Sequence, residues 1–155
     1  MTTLNIGPIK EPRAPGTLYL DIRPVGDVQG DIRHLDLPPN SFDKVECIAV
    51  LEHLERDDAP LALREFWRVL KPGGVLILAV PDMEKCCQTY VAGNDAILLN
   101  IYSPSAEPAQ HHRWGYRPSA LKALLEKEGF VDWHPLPPDD PHGFYAAVHK
   151  PEGAK

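Results

Sequence analysis

The stretch LREFWRVLKPGGVLILAVP, residues 63–81, decides the fold of this chain. Apolar residues recur with helical spacing over residues 59–70, which predicts an amphipathic helix with one buried stripe. The Pro-Gly-Gly triplet at 72–74 ends that helix. The run at 75–80 is apolar throughout, which is typical of a strand buried on both faces of a parallel sheet.

Strand and helix patterns alternate along the rest of the chain. Six further strands are predicted at 4–6, 18–22, 28–30, 44–50, 131–136 and 144–149. Further helices are predicted at 118–128, at 83–91 after the N-cap candidate Asp82, and at 94–102. This alternation predicts an α/β doubly wound sheet. The last two strands are joined by PLPPDDPHG, which is too short for a crossover helix and favours an antiparallel pair.

Length and charge restrict the function classes. The 155 residues are expected to form a single domain, 1–155. A net charge of −6 argues against a nucleic-acid partner, whose binding surface would be basic. The longest apolar run is far short of a membrane span, so we expect no membrane partner. Three cysteines without a C-x-x-C motif favour a reducing, cytoplasmic location.

The start of the chain departs from the usual nucleotide-binding pattern. In a doubly wound sheet the ligand lies beyond the carboxyl ends of the strands. LNIGPIKEPRAPGTLYLDI, residues 4–22, supplies Gly7 and Asp21 at two such ends. The glycine-rich turn and the helix expected between them are absent, because prolines follow Gly7.

Two further stretches carry a family resemblance. DLPPNSFDKVECIAVLEHL at 36–54 and YRPSALKALLEKEGF at 116–130 flank the opening stretch in sequence. Together the three resemble the class I S-adenosylmethionine-dependent methyltransferases, particularly the small type-11-like branch. The resemblance implies a Rossmann-like seven-stranded sheet with an antiparallel final strand, and S-adenosylmethionine as cofactor.

The resemblance also assigns cofactor-binding residues. Asn5 stands where many members have an acid, and Gly7 matches the first glycine of the binding loop. Asp21 matches the carboxylate that binds the ribose diol. Asp31 and Ile32 match the pair that flanks the adenine, and Val50 and Leu51 match the floor under the methionine part. Apart from the resemblance, Glu52 follows the fourth strand beside His53, and because consecutive side chains diverge it is a candidate to face the cationic end of the cofactor.

The glycine loop is the main departure from the family. The family loop reads G-x-G-x-G, whereas this chain reads GPIKE at 7–11. The links between the first three strands are too short for crossover helices, so we predict a trimmed fold. S-adenosylmethionine has no phosphate, and one close backbone approach at Gly7 would suffice for it. Dinucleotides need several glycines, so this loss argues against a dehydrogenase.

Two functions stay open. The first is methyl transfer to an oxygen or nitrogen of a small molecule, with His53 or His111 as base. The second is a non-catalytic binding or partner subunit that has kept the fold. Four of the candidate site residues could instead have a purely structural role. Asp21 and Asp31 would then cap turns, Gly7 would only turn the chain, and His53 would satisfy a backbone carbonyl.

The loop at 103–117, SPSAEPAQHHRWGYR, is predicted to cover the substrate. Its adjacent histidines, His111 and His112, lack the helical spacing of a metal motif, so we expect no metal site. A second copy of the chain is a candidate partner, because a trimmed fold leaves sheet faces to cover.

Overall fold

The computed structural model describes residues 1–7 and 14–154 and contains one seven-stranded sheet. Its strand order is β3-β2-β1-β4-β5-β7-β6. The strands are β1 Thr3–Ile6, β2 Thr17–Asp21, β3 Val28–Gln29, β4 Phe42–Ile48, β5 Leu70–Pro81, β6 Val131–Leu136 and β7 Gly143–His149.

The first five strands in sequence pair in parallel, and β7 pairs antiparallel with both β5 and β6. The predicted doubly wound sheet with an antiparallel final strand is therefore confirmed. The carboxyl ends of β1, β2 and β4 meet at one edge of the sheet. The strand order reverses between β1 and β4, which is the position where doubly wound folds bind ligands.

Within residues 1–7 and 14–154, four α-helices connect the later strands. They are α1 Ala59–Val69, α2 Met83–Val91, α3 Leu98–Tyr102 and α4 Pro118–Lys127. Asp82 caps α2 as predicted, because its side chain accepts hydrogen bonds from the backbone N–H groups of Glu84 and Lys85. The predicted helix at 94–102 is instead a 3-10 turn, Asp95–Ile97, followed by α3.

The stripe predicted for α1 lies in the core. Its buried residues are Ala59, Ala62, Leu63, Phe66 and Val69. Strand β5 alternates half-buried and buried residues over 75–78, so one face of the run is covered less completely than predicted, whereas Leu78, Ala79 and Val80 are all buried. This strand begins at Leu70 rather than at Val75, because Leu70 already pairs with Phe42 of β4.

The early links are short. Residues 22–27 form bends and turns between β2 and β3, so no crossover helix lies there. The stretch GPIKE at 7–11, which replaces the glycine loop of the family, lies outside the described residues except for Gly7. Among the described residues, no helix has both the length and the apolar character needed to span a membrane.

Candidate functional site

A cavity of about 700 Å³ opens at the carboxyl ends of β1, β2 and β4. This volume lies within the range of roughly 300–1,000 Å³ typical of small-molecule sites. Six of the residues singled out in the sequence line it, namely Gly7, Asp21, Asp31, Ile32, Val50 and His53. We call it the cofactor cavity.

Gly7 is required by the backbone around it. Its φ of +136° lies in the region that favours glycine, and a Cβ atom there would collide with the carbonyl oxygen of Ile48. The glycine thus lets the end of β1 approach the end of β4. Gly7 also lines the cofactor cavity, so it can both turn the chain and contact a bound cofactor.

Asp21 ends β2 at the cavity wall and is engaged by a neighbour. The Nε and Nη2 of Arg23 donate to its two carboxylate oxygens at 2.9 and 2.7 Å, and the Arg23 backbone N–H donates at 2.8 Å. The side-chain hydrogen bond from Arg23 lowers the pKa of Asp21, although partial burial opposes it. The carboxylate is therefore ionised at neutral pH and ready to accept hydrogen bonds.

Asp31 repeats this arrangement ten residues later. Arg33 donates to it through Nε at 3.0 Å and Nη2 at 2.6 Å, and reaches Asp58 through Nη1 at 2.6 Å. The side-chain hydrogen bond from Arg33 lowers the pKa of Asp31, against partial desolvation. Both Asp-Ile-Arg triplets therefore present a carboxylate–guanidinium pair to the same cavity.

Three predicted cofactor residues, Asn5, Leu51 and Glu52, do not line the cofactor cavity. The Asn5 amide donates to Glu46 at 3.0 Å, and neither Asn5 nor Leu51 lines the cofactor cavity. Leu51 is fully buried in the hydrophobic core. Its neighbour Val50 does line the cavity, because consecutive side chains after β4 point in different directions.

Glu52 is buried behind the cofactor cavity. It is 2% exposed, and its Oε2 has no hydrogen-bond partner among the described residues. Desolvation raises the pKa of Glu52 to about 8. Strongly shifted carboxyl groups in a cleft are candidates for functional sites. Glu52 lines a second, smaller cavity and not the cofactor cavity.

His53 lies in the cofactor cavity and contacts a second histidine. Its ring is centred 5.0 Å from the ring of His112, and its Nδ1 lies 3.2 Å from the carbonyl oxygen of His111. His112 Nε2 lies 3.9 Å from Glu52 Oε1. Desolvation, and then the neighbouring His53, lower the pKa of His112, which favours its neutral ring.

The His111 side chain does not join this group. Its Nε2 lies 2.7 Å from the carbonyl oxygen of Ser105, and the residue lines neither of the two cavities. His111 acts on the site through its backbone carbonyl, which orients His53. The predicted catalytic role for its ring is therefore without support in the geometry.

The second cavity measures about 240 Å³ and adjoins the first. Ala49, Ser103 and His112 line both cavities. Ala49 and Ser103 have φ values of 53° and 45°, unusual for residues other than glycine. Its polar lining residues include Asn100, Asp140 and Tyr145. We call it the acceptor cavity.

Several of these residues escaped the sequence reasoning. Arg23 and Arg33 carried a signal, since the triplet Asp-Ile-Arg occurs at both 21–23 and 31–33. His112 stands beside His111 in the sequence, whereas in the structure its ring lies close to Glu52 and His53, which belong to a segment about sixty residues away. No local pattern in the sequence indicates such a contact.

Comparison with known proteins agrees with the fold. Residues 13–78 match the type-11 family model of a methyltransferase domain. The ubiquinone/menaquinone biosynthesis C-methyltransferase UbiE of Escherichia coli O139:H28 is 34% identical over 122 residues, 70% of this chain. The match covers 47% of UbiE, so the chain spans about half the length of this relative.

Solved structures share the architecture at low identity. A methyltransferase from Archaeoglobus fulgidus superposes with a TM-score of 0.68 at 16% identity, over 96% of this chain and 86% of that one. A possible histamine N-methyltransferase from Thermotoga maritima gives 0.58 at 20%, over 79% and 62%. The resemblance to the class I S-adenosylmethionine-dependent methyltransferases of the type-11 branch is confirmed.

Proposed function

We propose that this chain transfers a methyl group from S-adenosylmethionine to a small molecule. The observation that carries the proposal is the pair of ionised carboxylates, Asp21 and Asp31, in a cavity beside Gly7. This cavity lies at the switch point of a methyltransferase-like sheet. When bound, the cofactor supplies a methyl group on a sulfonium cation.

The residues of the cofactor cavity suit the polar parts of that cofactor. Asp21 offers two oxygens, enough to accept hydrogen bonds from both hydroxyls of a ribose diol. Those oxygens are held by Arg23, so the proposal requires the guanidinium to move aside. Arg23 is 43% exposed, and its departure returns it to water at small cost. Ile32 and Val50 supply apolar wall.

We place the methyl acceptor in the acceptor cavity. Its 240 Å³ lies just below the range of roughly 300–1,000 Å³ typical of small-molecule sites, so it suits only a small acceptor, and Asp140 and Tyr145 are among its polar lining residues. The two cavities share a wall at Ala49, Ser103 and His112, so a nucleophile in one would face a methyl group in the other. Alignment of that kind is the main requirement of an in-line displacement.

An oxygen or nitrogen is the acceptor atom that we propose. His53 Nδ1 binds a carbonyl oxygen, which requires its proton there and leaves Nε2 as the basic nitrogen. A base in this position would assist a hydroxyl or ammonium acceptor. UbiE is named a C-methyltransferase, and the Thermotoga protein a possible N-methyltransferase, so acceptor class varies among similar proteins.

The non-catalytic reading keeps one specific observation in its favour. Both cavity carboxylates are paired with arginines of the chain itself, as they would be in a fold that has lost its ligand. Under either reading we keep the expectations of a cytoplasmic location and of a second copy as candidate partner.

A methyl-transfer assay tests the proposal. Purified protein is incubated with methyl-labelled S-adenosylmethionine and a panel of small phenols, carboxylates, amines and activated carbon acids. We expect label to enter an oxygen or nitrogen acceptor and not the carbon acids. Labelling of carbon acids alone would contradict the proposed acceptor class. Cofactor binding without any transfer would favour the non-catalytic reading.

A further inference from the structure

Three potential metal ligands converge from two distant segments. Glu52 and His53 follow β4, and His112 lies in the loop before α4. One ligand atom from each residue lies within 4.8 Å of the others. The Nε2 of His112 faces the Oε1 of Glu52 at 3.9 Å. We call these three residues the Glu-His-His cluster.

Backbone carbonyls orient both histidines. His53 Nδ1 lies 3.2 Å from the oxygen of His111, and His112 Nδ1 lies 2.7 Å from the oxygen of Asn100. A carbonyl oxygen only accepts, so each Nδ1 carries the proton and each Nε2 keeps its lone pair. Histidines that bind metals commonly donate their other N–H in this manner, because it fixes the ring and its tautomer.

The carboxylate of the cluster lacks the partner that its burial demands. Glu52 is 2% exposed, and its Oε2 finds no hydrogen bond within the described residues. The buried hydroxyl of Tyr116 is also without a partner there. Burying a carboxyl group is costly unless a hydrogen bond or an opposite charge compensates it. A bound cation would supply that charge.

We propose that Glu52, His53 and His112 bind one divalent first-row transition-metal ion, with Zn²⁺ as the reference case. Two imidazole nitrogens and one carboxylate oxygen form a donor set that zinc takes in proteins. Zinc holds such ligands at about 2.0–2.2 Å, or about 3.4 Å from one another in a tetrahedron. The ligand atoms of the cluster lie within 4.8 Å of one another, so each pair has to approach by about 1.5 Å or less to reach that spacing.

The place of the cluster indicates how an ion would be used. Three protein ligands leave a coordination position open, as in catalytic rather than structural zinc sites. His112 lines both cavities, so this position lies at their junction. An acceptor oxygen there would be polarised, and His53 would act through the ion instead of taking the proton itself. That use rests on the proposed function, whereas ion binding does not.

The test measures metal binding without methyl transfer. Protein stripped with a chelator is titrated calorimetrically with Zn²⁺, and a parallel sample with Co²⁺ is followed by its visible absorption bands. We expect one ion per chain. Glu52→Gln and His112→Ala should each weaken binding by more than about 100-fold, since even outer contacts of metal ligands contribute 10–100-fold.

The matched control is His142→Ala. His142 Nδ1 also lies 3.9 Å from a carboxylate, that of Asp140, but without a second histidine, so Zn²⁺ binding should persist. Thermal unfolding of each variant confirms that it folds. Absence of Zn²⁺ binding by the wild type, or equal binding by the cluster variants, would overturn the inference. S-adenosylhomocysteine binding by the chelated protein, measured separately, tests the proposed function independently.

Discussion

Asp21 and Arg23 form a bidentate pair in the wall of the cofactor cavity, with both carboxylate oxygens bound to the guanidinium at 2.9 and 2.7 Å. A ribose diol would need the same two oxygens. Arg23 is therefore a competitor for the cofactor, built into the chain two residues from its partner. This relationship distinguishes the site from a carboxylate that is simply open to solvent.

Removing the competitor should strengthen cofactor binding. We expect Arg23→Gln to increase S-adenosylhomocysteine affinity by about fivefold, because an ion pair whose guanidinium is solvent-exposed contributes about 1 kcal/mol. The gain should shrink at high salt, which already screens the pair. Calorimetry at two salt concentrations checks this. Weaker binding by Arg23→Gln would show that the guanidinium contacts the cofactor instead.

The loop at 103–117 should become ordered when ligand binds. Ala109, Gln110 and Arg113 line the cofactor cavity, whereas the backbone N–H groups of Arg113 and Trp114 are anchored to the Glu52 carbonyl. Hydrogen exchange should therefore slow most at 104–111 on ligand binding, and less at 112–114. The same exchange rates with and without S-adenosylhomocysteine would count against a lid.

Glu52 should make stability depend on pH. Its pKa is raised to about 8 by burial, against 4.5 for an ordinary glutamate, so the folded chain keeps a proton that the unfolded chain loses. That contribution is complete below about pH 4.5 and is lost as pH rises to about 8, by at most about 1.4 kcal/mol per pH unit.

Glu52→Gln removes this titration and nearly preserves the shape of the side chain. Urea unfolding of metal-free protein from pH 5 to pH 9 should show the variant gaining stability relative to the wild type until about pH 8 and levelling off above it. A constant difference over that range would mean that the folded carboxyl group titrates normally.

His53 should matter for turnover and little for cofactor affinity. In metal-free protein, where the Nε2 of His53 is open to act as base, we expect His53→Ala to lower the methyl-transfer rate about 10²–10⁴-fold, the usual contribution of a positioned acid–base group. His134→Ala, a change on the edge strand β6, serves as control. A variant that loses its fold, or one that keeps its rate, would assign His53 a structural role.

The strands and most of the helices could be predicted because each has a local pattern of apolar residues. The apolar stripe of α1 and the apolar run in β5 are two such patterns, and only the first and last residues of these elements differ from the prediction. Asp21 and Asp31 could be placed as well, because a parallel sheet brings successive carboxyl ends to one edge. Gly7 followed from the same reasoning.

Side-chain direction could not be read from the sequence. Val50 faces the cofactor cavity, Leu51 the core and Glu52 the acceptor cavity, although the three are consecutive. The approach of His112 to His53 depends on how the loop at 103–117 folds back over β4. Contacts between distant segments of this kind leave no periodic trace in the chain.

Calorimetric titration with S-adenosylhomocysteine tests the central claim most directly, because it asks only whether the cavity holds the cofactor. We predict saturable binding with one site per chain. Asp21→Ala should weaken it by about 1.5–3 kcal/mol, the range for hydrogen bonds to a charged group, with little change in the unfolding midpoint. No heat of binding at millimolar ligand, or the same affinity in wild type and Asp21→Ala, would contradict the account.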